Sequence, residues 1–259
     1  MNNSEIINNI DSFSSSVILV LNNNSNPDAI VKILIEKLAT ISLHNLQNYL
    51  DLIILDGYKK NIKKDDVLSI IKQFSHSNIT DNNAKFYYLK NFQYASNEAY
   101  NCLLKFIEEP GDNTMGIFTT NSINELPITI VSRCKVFYLE PDEVTLEELK
   151  KEFKLDKHHW ITQLFNDVEA LKEFCNSENF IKLKATHDFL MKPNFENYKS
   201  QFNEFKNWEF HEIKILIKSL ILVGNLSQQN QLLEIMENIS VNPVRPLLFL
   251  KLYQIMTGL

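Results

Sequence analysis

The triplet Ser132-Arg133-Cys134 sets a hydroxyl, a guanidinium and a thiol side by side. Ser132 or Cys134 would serve as a nucleophile only with a base beside it, and neither has a His nearby in the sequence. Arg133 differs in kind. Its planar fork of five donors suits a phosphate group, and it stands between a short helical run, PITIVS, and an apolar strand, KVFYL, from which it can point outward. The other candidates carry less. His158 and His159 are adjacent, so on a helix they diverge by about 100° instead of sharing a face as the two His of an i, i+4 metal motif do. Asp56, which ends LIILD and precedes Gly57, reads as a turn residue rather than a metal ligand. Cys102, Cys134 and Cys175 form no Cys-x-x-Cys pair, which excludes a four-thiolate zinc site within the chain and suggests a reducing, cytoplasmic setting.

Arg133 has to be held by a scaffold, and the first half of the chain supplies one. VILVL (17 to 21), LDLIILD (50 to 56), KFYYL (85 to 89), MGIFTT and KVFYL are short, branched or aromatic, and almost continuously apolar. Helical periodicities alternate with them. Asn26 caps the first helix with Pro27 at its start, and Ile30, Ile33, Leu34 and Leu38 share a face. Val67, Ile70, Ile71 and Phe74 mark the second, and a third begins at Ser96 with Ala99, Leu103, Phe106 and Ile107 facing inward. Such repeated units predict a parallel sheet covered on both faces. After Pro141 the periodicity is helical throughout, with a small helical subdomain over 141 to 176 and a longer bundle over 177 to 259. The Asn-rich stretches 22 to 26 and 223 to 230 read as loops.

This scaffold is that of nucleotide enzymes, but the residues of nucleotide chemistry are missing. The loop after the first strand should carry G-x-x-x-x-G-K-[ST], whose backbone N–H groups cradle phosphates. Here it reads NNNSNPD, with no Gly, no Lys, and Asp28 in a helical first turn where it would repel an anion and satisfy the helix's own free N–H groups. The third strand should end in carboxylates that hold magnesium. It ends in Lys90 and Asn91. No cofactor and no metal are therefore expected on this chain.

Composition narrows the field further. With 259 residues, 44% of them apolar and 22% charged, the chain is expected to fold around a substantial core. Five Gly are few for phosphate-binding loops, and a net charge of −6 argues against a surface dominated by nucleic-acid binding. The opening MNNSEIINNIDSFSSS lacks a basic segment ahead of an apolar one, and no run approaches the ~18 apolar residues of a membrane span. Neither export nor membrane insertion is expected.

The stretch NEAYNCLLKFIEEPGDNTMGIFTTNSINELPITIVSRC resembles the best-marked segment of bacterial clamp-loader subunits, where L-L-K-x-L-E-E-P is followed by a strand ending T-T-N and then by L-P-x-T-I-x-S-R-C. LDLIILDGYKKNIKKDDVLSIIKQF is similar to the preceding segment of the delta-prime branch of this family. NISVNPVRPLLFLKLYQIM looks like its last collar helix, opened by Asn242 and Pro243.

The resemblance implies an AAA+-like α/β domain (1–140), a helical lid (141–176) and a helical collar (177–259) through which five subunits assemble. It also implies a subunit of the DNA polymerase III holoenzyme that is not an enzyme by itself. Such a subunit would act as a stator during DNA replication, helping to load the sliding clamp onto primed DNA together with the motor subunits and the delta subunit. Arg133 would be an arginine finger reaching ATP and magnesium on a neighbour, with Ser132 and Cys134 shaping its turn. Thr119, Thr120 and Asn121 match the sensor-1 position. Two departures stand out: the four-Cys zinc module of many relatives is absent, and the collar is short. The rival readings are the clamp-opening delta subunit, against which the S-R-C triplet argues, and a divergent active AAA+ ATPase.

Overall fold

The computed structural model describes residues 3–10, 16–74, 84–193, 195–239 and 243–258. They form two compact units, one of Met1–Glu143 with Asn166–Glu169, the other of Val144–Phe165 with Ala170–Leu259. In the first unit the order is α1 (Asn3–Asn8), β1 (Ser16–Val20), α2 (Pro27–Ala39), β2 (Leu52–Asp56), α3 (Lys64–Phe74), β3 (Lys85–Lys90), α4 (Asn97–Glu108), β4 (Thr114–Thr120), α5 (Ile128–Val131) and β5 (Cys134–Tyr138).

All five strands are parallel, in the order β2-β3-β4-β1-β5, which is the arrangement of an AAA+-like domain. β1 lies between β4 and β5, with Val17 opposite Ile117 and Ile18 opposite Val136. β1, β3 and β4 are buried almost throughout, as strands covered on both faces must be, while the edge strands β2 and β5 are only partly covered. Alternation along each strand divides the core. Val17, Leu19, Phe86, Tyr88 and Ile117 pack with α1 and α2, whereas Ile18, Tyr87, Leu89 and Phe118 pack with α3, α4 and α5. Gly116 is required by this packing, since a Cβ there would lie 2.4 Å from Cζ of Tyr87.

Local sequence fixes the helix starts. Asn26 Oδ1 accepts from the N–H of Ala29, Pro27 occupies the first turn, and Ser96 Oγ accepts from the N–H of Ala99. The first helix, α1, is a single short amphipathic turn and a half whose Ile6 is fully buried; six residues are too few for a periodic pattern to register.

The second unit is helical, with α6 (Glu143–Glu152, its first residue in the first unit), a 3-10 segment (Leu155–Leu164), α7 (Val168–Cys175, its first two residues in the first unit), α8 (Glu178–Met191), α9 (Phe195–Phe205), α10 (Phe210–Val223), α11 (Leu226–Asn238) and α12 (Arg245–Thr257). The 3-10 segment is kinked at His158, so the run HHWITQLFND is not a regular α-helix. α11 begins inside the stretch read as a loop because Asn225 and Gln228 form a reciprocal cap. Asn242 lies outside the described residues, and α12 starts at Arg245, two positions after Pro243. Phe189, Tyr198, Phe202, Phe205, Phe249 and Tyr253 form one aromatic cluster joining α8, α9 and α12. Among the described residues, no helix is long and apolar enough to cross a membrane.

Candidate functional site

The loop after β1 is closed by its own chain. The N–H of Ser25 donates to the carbonyls of Asn22 (3.1 Å) and Asn166 (2.9 Å), and its hydroxyl donates to the same two oxygens. The N–H of Val168 returns a bond to the Ser25 carbonyl, and Asn26 Nδ2 donates to Asp142. The Ser25 N–H, a backbone donor of the kind a phosphate loop would aim at an anion, is therefore taken up within the protein.

Beside this loop sits an internal cation. Lys90 Nζ, at the end of β3, lies 3.0 Å from Asp28 Oδ1 and 3.5 Å from Asp167 Oδ2. The Tyr88 hydroxyl donates to Asp28 at 2.8 Å. Burial pulls Lys90 downward, but the Asp167 and Asp28 carboxylates outweigh it and hold its pKa above the ordinary lysine value. Burial raises Asp167, with Lys90 opposing, and raises the Tyr88 phenol well above its usual range, with Asp28 reinforcing. Asp28 thus does more than serve its own helix: Asn26 caps α2, and Asp28 turns to β3. The sequence signal for this network was the Lys at a strand end where magnesium ligands stand; nothing local pointed to Asp167, 77 positions on.

Asp56 Oδ1 accepts from the Tyr58 N–H and from Asn91 Nδ2, both at 2.9 Å, as a turn residue does. Thr119 is buried and its hydroxyl accepts from the Asn91 N–H, tying the end of β4 to the end of β3. The Thr120 hydroxyl donates to the Ser122 carbonyl, and Asn121 is half-buried. Among the described residues, no cluster of three or more His, Cys, Asp or Glu is placed to hold a metal ion.

Arg133 follows α5 by two positions and is exposed, apart from the Asp28–Lys90–Asp167 network in its chemistry. Its Nε is ion-paired with Glu108, its Nη1 donates to the Thr129 carbonyl (2.9 Å) and approaches Ser132 Oγ (3.4 Å). No described residue takes Nη2. Ser132 caps α5, its hydroxyl donating to Thr129. Cys134 opens β5 half-buried, and burial pushes its thiol up to about 12, which leaves no thiolate for nucleophilic chemistry near neutrality. The structure brings Ser132, Arg133 and Cys134 onto one turn, and Thr119 and Thr120 to the end of β4.

Residues 35–143 match the family model described as DNA polymerase III, delta subunit. Over this stretch, which lies within the α/β unit, the chain is similar to that family. Its relatives include DNA polymerase III subunit delta′ of Bacillus subtilis, 26% identical over 53% of this chain and 43% of that protein. An uncharacterized protein of Mycoplasma pneumoniae is 28% identical over 66% of this chain and 67% of its own length. DNA polymerase III subunit gamma of Buchnera aphidicola is 31% identical over 35% of this chain and 25% of its own. The match thus spans less than half of the Bacillus and Buchnera proteins. The fold is shared with a DNA polymerase III gamma subunit-related protein of Thermotoga maritima, at a TM-score of 0.71 and 17% identity, over 100% of this chain and 99% of that one.

Proposed function

We propose that this chain is a delta-prime-type clamp-loader subunit that neither binds nor hydrolyses ATP, acting in DNA replication as a stator with an arginine finger. The observation that carries this reading is Lys90, whose ammonium stands at the strand end where magnesium ligands would have to be and is neutralised by Asp28 and Asp167. Magnesium and the phosphates of ATP would have to displace that cation and reopen the hydrogen bonds of Ser25. What the α/β unit retains is exposed Arg133, two positions beyond a short helix and with Nη2 uncommitted, which suits a phosphoryl group bound by an adjacent motor subunit. Thr119 to Asn121 keep the sensor-1 place in a structural capacity. In this reading, residues 141–176 act as the lid and 177–259 as the collar of a hetero-pentamer with motor and delta subunits, which binds the sliding clamp and primed DNA as an assembly in the cytoplasm.

The test is native mass spectrometry of the purified chain mixed with motor and delta subunits, alongside calorimetric titration of the isolated chain with Mg-ATP. The chain is expected to enter the complex and to give no binding heat with ATP. Saturable ATP binding by the isolated chain would overturn the reading in favour of a divergent ATPase, and tight binding of the isolated chain to the clamp would favour a clamp-opening delta role.

A further inference from the structure

Glu108 is the group outside its own turn that holds the Arg133 guanidinium. Thr129 and Ser132 belong to the turn that carries Arg133, whereas Glu108 comes from the last residue of α4, 25 positions upstream. Both ends of the pair are partly open to solvent, at 36% for the Arg133 side chain and 44% for Glu108. A carboxylate at that place is opposed by its own helix, because the C-terminal end of a helix macrodipole disfavours negative charge. Neither burial nor helix capping accounts for it, since the N–H at the end of α4 is bonded to the Lys105 carbonyl. What Glu108 does face is Nε of Arg133.

The way the guanidinium is shared decides what Glu108 does. Its carboxylate takes Nε and the Thr129 carbonyl takes one side of Nη1, and no described residue accepts from Nη2; one of its N–H groups runs parallel to Nε–H on the Glu108 side, and the other faces away from Glu108. A phosphoryl oxygen approaching the N–H of Nη2 that faces away from Nε would not have to evict Glu108. An exposed arginine has many rotamers, most of which aim the fork elsewhere, and anchoring Nε removes that freedom before a ligand arrives. Resting on the trans-acting finger reading above, we propose that Glu108 is a positioning residue for Arg133, holding the guanidinium ready for nucleotide on the neighbouring subunit.

The experiment is steady-state ATP turnover, stimulated by clamp and primed DNA, of the assembled complex carrying this chain as wild type, Glu108→Ala, Glu108→Gln, Arg133→Ala and the Glu108→Ala/Arg133→Ala pair. Expected is a fall in kcat of roughly tenfold for Glu108→Ala, below the ~10²-fold that a misplacement of about 1 Å can cost. KM for ATP and assembly should stay unchanged. Glu108→Gln keeps an acceptor oxygen for Nε and should fall between wild type and Glu108→Ala. The pair should turn over no more slowly than Arg133→Ala alone, because Glu108 acts only through Arg133. If Arg133→Ala turns over like wild type, the finger reading fails and this proposal with it. If Arg133→Ala is slow but Glu108→Ala matches or exceeds wild type, or if the two losses multiply in the pair, the positioning role alone is overturned. Should Glu108→Ala not assemble, Glu108→Gln carries the same comparison.

Discussion

Replacing Lys90 by Met tests whether the closed nucleotide site is held by its internal cation. Met keeps the apolar stem of Lys and removes only the charge, so packing is largely preserved. What remains is Asp167, 9% exposed, and Asp28, 32% exposed, with their cation gone. Removing one partner of a fully buried ion pair costs about 3–5 kcal/mol. Solvent reaches Asp28, which lowers the expected loss here to roughly 2–3 kcal/mol. The sign with pH follows from Asp167. Its folded pKa is already raised by burial and rises further without Lys90, so ionising it opposes folding in the mutant. The deficit is therefore full at neutral pH, where the carboxylate is ionised, and shrinks as pH falls through the raised folded value towards the ordinary value of about 4. Trp160 and Trp208 both lie in the second unit, so tryptophan fluorescence would follow the wrong part of the molecule. Hydrogen exchange of β1, β3 and β4 amides in urea reads the first unit directly. Adding Asp167→Asn to Lys90→Met should recover part of the loss. A mutant as stable as wild type at pH 7, or a deficit that grows on acidification, would mean that Lys90 does not hold the two carboxylates in place.

In the second unit, His187 is buried against Trp160 at a ring distance of 4.0 Å, and burial lowers its pKa to about 4 against the opposition of Asp188. The unfolded chain takes up that proton near pH 6.5, so stability should drop by up to roughly 3 kcal/mol as pH falls from 6.5 to 4, followed by tryptophan fluorescence in denaturant; His187→Phe should flatten the slope. Gly116→Ala should destabilise the first unit by about 1–3 kcal/mol, because its Cβ would meet the Tyr87 ring, and exchange of β4 amides should accelerate accordingly. Tyr88→Phe removes a hydrogen bond to a carboxylate and should cost roughly 1.5–3 kcal/mol in the same exchange measurement.

The sheet was readable because β1, β3 and β4 are nearly unbroken apolar runs flanked by capped helices, and such runs have few alternatives. Strand order was not readable from periodicity, since nothing in VILVL says that MGIFTT and KVFYL flank it. Of the smaller misses, α1 is too short to show a period, and the non-helical backbone at His158 breaks a run whose residues read as one helix. At the site, the absence of a Gly-Lys loop and of strand-end carboxylates was plain. The replacement was not, because Asp28, Lys90 and Asp167 are brought together only by the fold. Arg133 stood out through the S-R-C pattern, as an exposed arginine carries no mark of its own. Glu108 had one signal in hindsight, a negative charge at the end of a helix.

The most direct test of the trans-acting role is ATP turnover by the assembled complex with Arg133→Ala and Arg133→Lys in this chain and no change elsewhere. Arginine fingers are worth roughly 10³ to 10⁵ in rate in GTPases. One finger among several sites should leave a smaller but large loss, and Lys, which lacks the planar fork, should not restore it. Clamp- and DNA-stimulated turnover should slow in both variants with assembly intact. Wild-type turnover in a fully assembled Arg133→Ala complex would contradict the trans-acting role.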